Sequence, residues 1–195
     1  MNKTQRIKKI TIAAMIAGVS ALSVASFTGS LVPDKAAAAA AVSKADNAQA
    51  LKTLNSFYKV ALKGQFPGNV KGLTLGTSTR QDVQDLIGKA EAPGKDADAF
   101  DVYHAEMGHP GYAISYKLNK IRELRYFGTN VERQNNIGGI TQSMLYKAWG
   151  MPSSAKTIHN GKLTQKKIVY NRGDYQLSFI FNSSTELDHI NLTHK

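Results

Sequence analysis

The sequence predicts an α+β protein: two tandem helix-plus-antiparallel-sheet repeats that form one layer of helices on a sheet, with an added N-terminal helix. Three observations carry that prediction. The stretch GYAISYKLN at residues 111–119 returns as DYQLSFIFN at residues 174–182, 63 positions later, with Tyr112 matched by Tyr175, Ser115 by Ser178, Tyr116 by Phe179, Leu118 by Phe181 and Asn119 by Asn182. Thr79…Gly88 and Thr141…Gly150 form a second matched pair, 62 positions apart. Apolar residues recur every second position in the first pair and at helical spacing in the second, so the repeated unit contains both strand and helix.

The N-terminus comes first. Lys3, Arg6, Lys8 and Lys9 stand among nine residues without an acid, and an apolar run from Ile10 to Val32 follows. That order is the layout of a secretory signal, and the small residues Ala36 to Ala41 place a cleavage near Ala38, within about three residues either way. The apolar run is also long enough to cross a bilayer core of about 30 Å, so a retained N-terminal anchor is the alternative. No Cys follows the run, or stands anywhere else, which excludes a lipid-bearing Cys, a disulfide framework and a thiolate zinc site. An exported chain without Cys fits a bacterial source, and the sequons at Asn182 and Asn191 are then incidental.

The expected organisation is a signal at 1–38, an N-terminal helix and linker at 39–68, a first repeat at 69–133 and a second at 134–195, the repeats fused into one domain. From Ser43, residues Ala48, Leu51, Leu54, Phe57 or Tyr58, and Ala61 or Leu62 recur at steps of three and four, an amphipathic helix that stops at Gly64 before Pro67-Gly68. A short helix follows, with Ser78 and Gln81 as its capping box, Val83, Leu86 and Ile87 as its apolar face and Gly88 as its end. In the second repeat Thr141 is the cap, Leu145, Ala148 and Trp149 the buried face, and Gly150 the stop. Strands are expected at 101–105, 112–118 and 121–127, then at 167–170, 175–181 and 187–192, about three per repeat.

Alternation assigns the faces of these strands. Tyr112, Ile114, Tyr116 and Leu118 point to the helices, as do Tyr175, Leu177, Phe179 and Phe181; Leu124, Tyr126, Ile190 and Leu192 join them. The opposite face carries Ser115, Lys117, Arg125, Gln176, Ser178, His189 and Asn191. Those seven residues are the candidate binding residues, on a face that helices on one side of the sheet leave wet.

Nothing in the motif inventory points to a reaction. HExxH, GxSxG, a Walker loop and a dinucleotide fingerprint are all missing. The five histidines, 104, 109, 159, 189 and 194, are scattered; His104 and His109 could meet across a hairpin, but without the further ligands a metal site wants. Asp82 and Asp85 share a helix face at i, i+3, whereas paired-carboxylate hydrolysis uses opposing elements. No catalytic residue, metal or cofactor is expected.

Charge bounds the partners. The chain carries a formal +11, and residues 1–38 hold five bases and one acid, which leaves +7 on the remainder. A basic exported protein is drawn to anionic wall polymers, lipid head groups or acidic proteins. No run of Lys and Arg resembles a nucleic-acid-binding arm.

The stretches LTLGTSTRQDVQDLIGKAEAP and NRGDYQLSFIFN, with LDHINL after the second, resemble the YjgB-like family of secreted proteins from bacilli, whose function is uncharacterised; the resemblance runs from about residue 70 to the C-terminus. More distantly, the tandem helix-then-sheet unit is similar to the β-lactamase-inhibitor-protein architecture, shared by small envelope-assembly lipoproteins of the BamE type. That likeness implies a sheet face or loops that grip protein partners, with no residue carried over. The functional expectation is an exported, non-enzymatic module that recognises a protein partner through the polar sheet face, as inhibitor or accessory of an exported enzyme. Electrostatic association with the cell envelope is the alternative, and a wall hydrolase with an unrecognised site the second.

Overall fold

Strong helix formers dominate the sequence from Lys35, and helix α1 (Lys35–Val60) forms there. In the computed structural model, which describes residues 35–96, 99–106, 109–129 and 137–195, its inward stripe is Ala50, Leu54 and Phe57, continued by Ala61 just past its end, all at most 1% exposed. Ala48, Leu51, Tyr58 and Leu62 turn outward instead. A 3-10 turn (Ala61–Lys63) closes the helix on Gly64, in the left-handed region at φ 66°. A Cβ there would lie 2.5 Å from the Tyr175 ring, so the stop residue is also a place of close approach to that side chain. The N-terminal signal expected at 1–38 lies almost wholly outside the described residues, and among these no helix is long and apolar enough to cross a membrane.

Helices α2 (Arg80–Ile87) and α3 (Gln142–Trp149) share one plan. Their caps are Thr79, whose hydroxyl accepts from Asp82 N at 3.2 Å, and Thr141, which accepts from Met144 N at 3.1 Å. The capping box is therefore Thr79 with Asp82, one residue beyond the expected Ser78 with Gln81. Ser78 accepts from Thr74 N in the preceding turn, and Gln81 bonds Asp85 along the helix. Val83 and Leu145 are fully buried, and Ile87 and Trp149 pack half-buried on the core, while Leu86 and Ala148 are exposed. The expected faces were thus one residue too wide: both helices roll toward their last residue, Ile87 or Trp149, which packs on the core.

Seven strands form one antiparallel sheet: β1 (Phe100–Tyr103), β2 (Gly111–Lys117), β3 (Lys120–Gly128), β4 (Ser154–Asn160), β5 (Leu163–Arg172), β6 (Tyr175–Phe181) and β7 (Leu187–His194). Their order is β1-β2-β3-β7-β6-β5-β4, two meanders whose last strands pair with each other through Leu124↔Leu192 and Tyr126↔Ile190. β4 was not expected. Its sequence, SAKTIHN, shows no buried alternation because every described side chain in it is exposed except the half-buried Ile158. In the first half the corresponding position holds a single bridge, Ala92↔Val102.

The core lies between helices and sheet, with Ile114, Leu124, Leu177, Phe179, Ile190 and Leu192 from the strands. Phe57 meets Tyr126 edge-on at 5.1 Å, and Trp149 meets Phe179 at 5.3 Å. Leu118 is a correction: it is 90% exposed, at φ 51°, in a two-residue turn with Asn119 at φ 61°. With both central residues at positive φ this is a type I′ turn, and β2 ends before it at Lys117. Its sequence match Phe181 stays inside β6, fully buried. Residues Lys35–Lys195 cluster as one compact unit.

Candidate functional site

The sheet face turned away from the helices is defined by its cross-strand rows. One row runs Val102, Ala113, Arg125, Asn191, Ser178, Val169; beside it runs Phe100, Ser115, Glu123, Thr193, Gln176. Ala113, Val169 and Ile180 are buried here yet stand outside the cluster that packs against the helices, which marks a second, smaller apolar layer.

Four of the seven candidate residues meet at the centre of that layer. Arg125 pairs in register with Asn191, and Asn191 with Ser178, while Ser115 lies one row away. Lys117 is exposed at the β2–β3 turn, His189 lies toward the opposite end of β7, and Gln176 flanks the centre half-buried. The face is not wet at its middle, as alternation implied. Ser115, Ser178 and Asn191 are 0%, 2% and 9% exposed. Short side chains there sit below longer neighbours: Arg122 Nε reaches Ser115 Oγ at 3.3 Å, and the Arg125 guanidinium lies 4.0 Å from the Phe100 ring centre while its Nε donates to Glu123 at 2.8 Å. His189 pairs with Asp188 at 2.5 Å.

Asn191 Oδ1 is buried and has no hydrogen-bond partner among the described residues. Such an acceptor costs about 1–3 kcal/mol when left unmet. Phe100 and Glu123 also contribute to this centre and were not candidates; the register opposite Ser115 is the signal that would have found them.

Three other polar groupings do different work. On the core face Asp101, 1% exposed, pairs with Arg80 and accepts from Gly94 N at 2.9 Å, and the Arg80 guanidinium lies 4.2 Å over the Tyr116 ring. This ties the first residue of α2 to β1. Burial pushes the Tyr103 and Tyr116 hydroxyls up from the ordinary tyrosine value. Near the β1–β2 hairpin a cavity of about 450 Å3 is lined by Glu91, Tyr103, His104, Glu106 and His109 among others. His109 Nδ1 is taken by Asn69 at 2.8 Å, and among the described residues no three His, Asp or Glu side chains are disposed to hold a metal ion. Asp82 and Asp85 are spent locally: hydrogen bonds from the Thr79 backbone and hydroxyl hold the Asp82 carboxyl below its ordinary value, and Asp85 accepts from Gln81.

Residues 54–193 match the family model described as a domain of unknown function, DUF4309. The chain is 40% identical over 166 residues to the uncharacterised protein YjgB of Bacillus subtilis, which covers 84% of this chain and 85% of that one. The crystal structure of that DUF4309 family protein superposes with a TM-score of 0.69 at 38% identity, over 76% of this chain and 99% of the other. An extracellular protein of Bacillus anthracis that contains an SCP domain gives a TM-score of 0.42 at 12% identity, over 66% of this chain and 48% of that one.

Proposed function

The chain belongs to the DUF4309 family, and since that description carries no activity, we propose from the sheet surface that it is an exported, non-enzymatic module that binds a protein partner through its helix-free sheet face. The observation that carries the reading is the orphaned acceptor: Asn191 Oδ1 sits buried and unmet at the centre of that face, between Arg125 and Ser178. A donor brought by a partner would satisfy it, and the stacked Arg125–Phe100 pair beside it is the kind of planar contact that protein interfaces favour. Inhibition or assistance of an exported enzyme is the role this surface suits.

The finer architecture supports the reading. We infer that the fold is two tandem copies of one helix-plus-meander unit, supported by the matching threonine caps, the shared roll of α2 and α3 and the pairing of the last strands, β3 with β7. Duplication of such a unit joins two meanders into one broad face, and the candidate residues lie across their seam. The +7 on residues 39–195 favours a second reading, loose electrostatic association with anionic envelope polymers.

Asn191→Leu separates a used acceptor from an idle one. Replacing the unmet amide by an apolar group of similar size should raise stability by about 1 kcal/mol and weaken capture of the partner about tenfold or more. Unchanged capture would place Asn191 outside the interface and remove the observation on which the reading rests.

A further inference from the structure

We propose that the free edge of β4 is a docking strand that takes an extended, acidic polypeptide segment as an eighth strand of the sheet. The inference shares with the binding reading the premise of a protein partner; its docking element is a different one, the main chain of the sheet's β4 edge.

The two edges of the sheet are unlike. β1 has four residues, and its outer side is bonded by Ala92, whose N–H and C=O pair with Val102 at 3.2 and 2.8 Å. β4 has seven residues and, among the described residues, pairs with β5 alone. The turn between them, Gly161-Lys162, is flanked by the directly opposed Asn160 and Leu163, with Gly161 at φ 58°. In a two-residue hairpin the flanking pair is hydrogen-bonded, so Asn160, Ile158, Lys156 and Ser154 bond β5 while Ala155, Thr157 and His159 turn N–H and C=O to the open side. That row is a ready template for another strand.

Charge selects the occupant. The β4–β5 hairpin holds Lys156, Lys162, Lys166 and Lys167, and no acid stands from Met151 to Arg172. Lys156 and Lys167 are directly opposed across the ladder. Like charges so placed are destabilising, and neither has an ion-pair partner among the described residues. A second copy docked through β4 would bring these lysines together. An acidic strand would neutralise them, while its main chain bonds the edge with little demand on side-chain sequence.

The test is amide hydrogen exchange on residues 35–195, which hold the whole described core, with a nine-residue peptide of alternating valine and glutamate. Exchange at Ala155, Thr157 and His159 should slow about tenfold or more at saturation, and a valine–lysine peptide should leave it unchanged. Thr157→Pro removes one outward N–H and should abolish the effect while the Lys156 and Ile158 amides stay protected, which shows that β4 still pairs with β5. Lys156→Glu/Lys167→Glu should weaken binding without touching the main chain. Three results would overturn the inference: no slowing with the acidic peptide; slowing that follows protein concentration without peptide, which gives the edge to a second copy; or displacement of the peptide by polyphosphate with no amide protection, which reduces the surface to charge. Lys117 and Arg125 lie on β2 and β3, so failure at β4 and failure of the sheet-face reading are separate outcomes.

Discussion

Tyr170 shows how single groups respond to this packing. Its hydroxyl donates to Gly150 O at 2.8 Å, and burial, with the neighbouring Tyr146 second, pushes its pKa from 10.0 up to about 12. The fold therefore favours the neutral phenol. Below pH 10 the group is protonated in both states and its contribution is fully present; between pH 10 and about 12 the unfolded chain ionises first and stability is lost. Tyr170→Phe should lose less stability than the wild type from pH 9 to 11 in denaturant titrations, with Tyr103 and Tyr116, raised in the same direction, supplying the remaining loss. At this scale the sequence was partly legible. The helical spacing from Leu145 placed the Trp149 indole on the core, where it meets Tyr170 and Phe179 and donates to Asn55. The depth of Ser115, Ser178 and Asn191 was not legible, since alternation names a face but does not say which longer neighbours lean over it. Asp101 was hidden for a related reason: a carboxylate on a core-facing position makes sense only once Arg80 is known to reach it.

Among the elements, hairpins and helix ends obeyed local rules while edges did not announce themselves. Gly88, Gly150 and Gly64 were readable as boundaries because each takes a positive φ that few residues tolerate, and Thr141 because its hydroxyl caps the first turn of α3. β4 was invisible because an exposed edge strand buries no face, and burial is what creates a periodic pattern. The Leu118 position failed for the opposite reason, an apolar residue in a strand-like run that the turn claims for itself. A leucine at φ 51°, 90% exposed, pays the left-handed penalty without burial in return. Leu118→Asn should therefore stabilise the protein by about 1 kcal/mol in urea unfolding, since Asn tolerates that conformation. A loss of stability would mean that the leucine side chain makes contacts which its exposure denies.

At the scale of the molecule, the two meanders place all the described helices on one face and concentrate the candidate residues near the β3–β7 seam of the other. The sequence foretold the α+β class and six of the seven strands, because a strand that buries one face shows it as alternation, and it foretold the family through the stretches around α2, β6 and β7. The charge of the hairpin beyond β6 was visible in composition but unplaced until the sheet order put it at a free edge. The central claim is that the helix-free face binds a protein, and capture tests it most directly. Residues 35–195 are immobilised beside the Lys117→Glu/Arg125→Glu variant and offered the exported and wall fractions of the producing bacterium, at low and at moderate salt. The expected result is one protein retained in stoichiometric amount at moderate salt by the wild type and lost by the variant, whose unfolding midpoint stays close to that of the wild type. Equal retention by both forms, or retention only of anionic polymer at low salt, would contradict the claim.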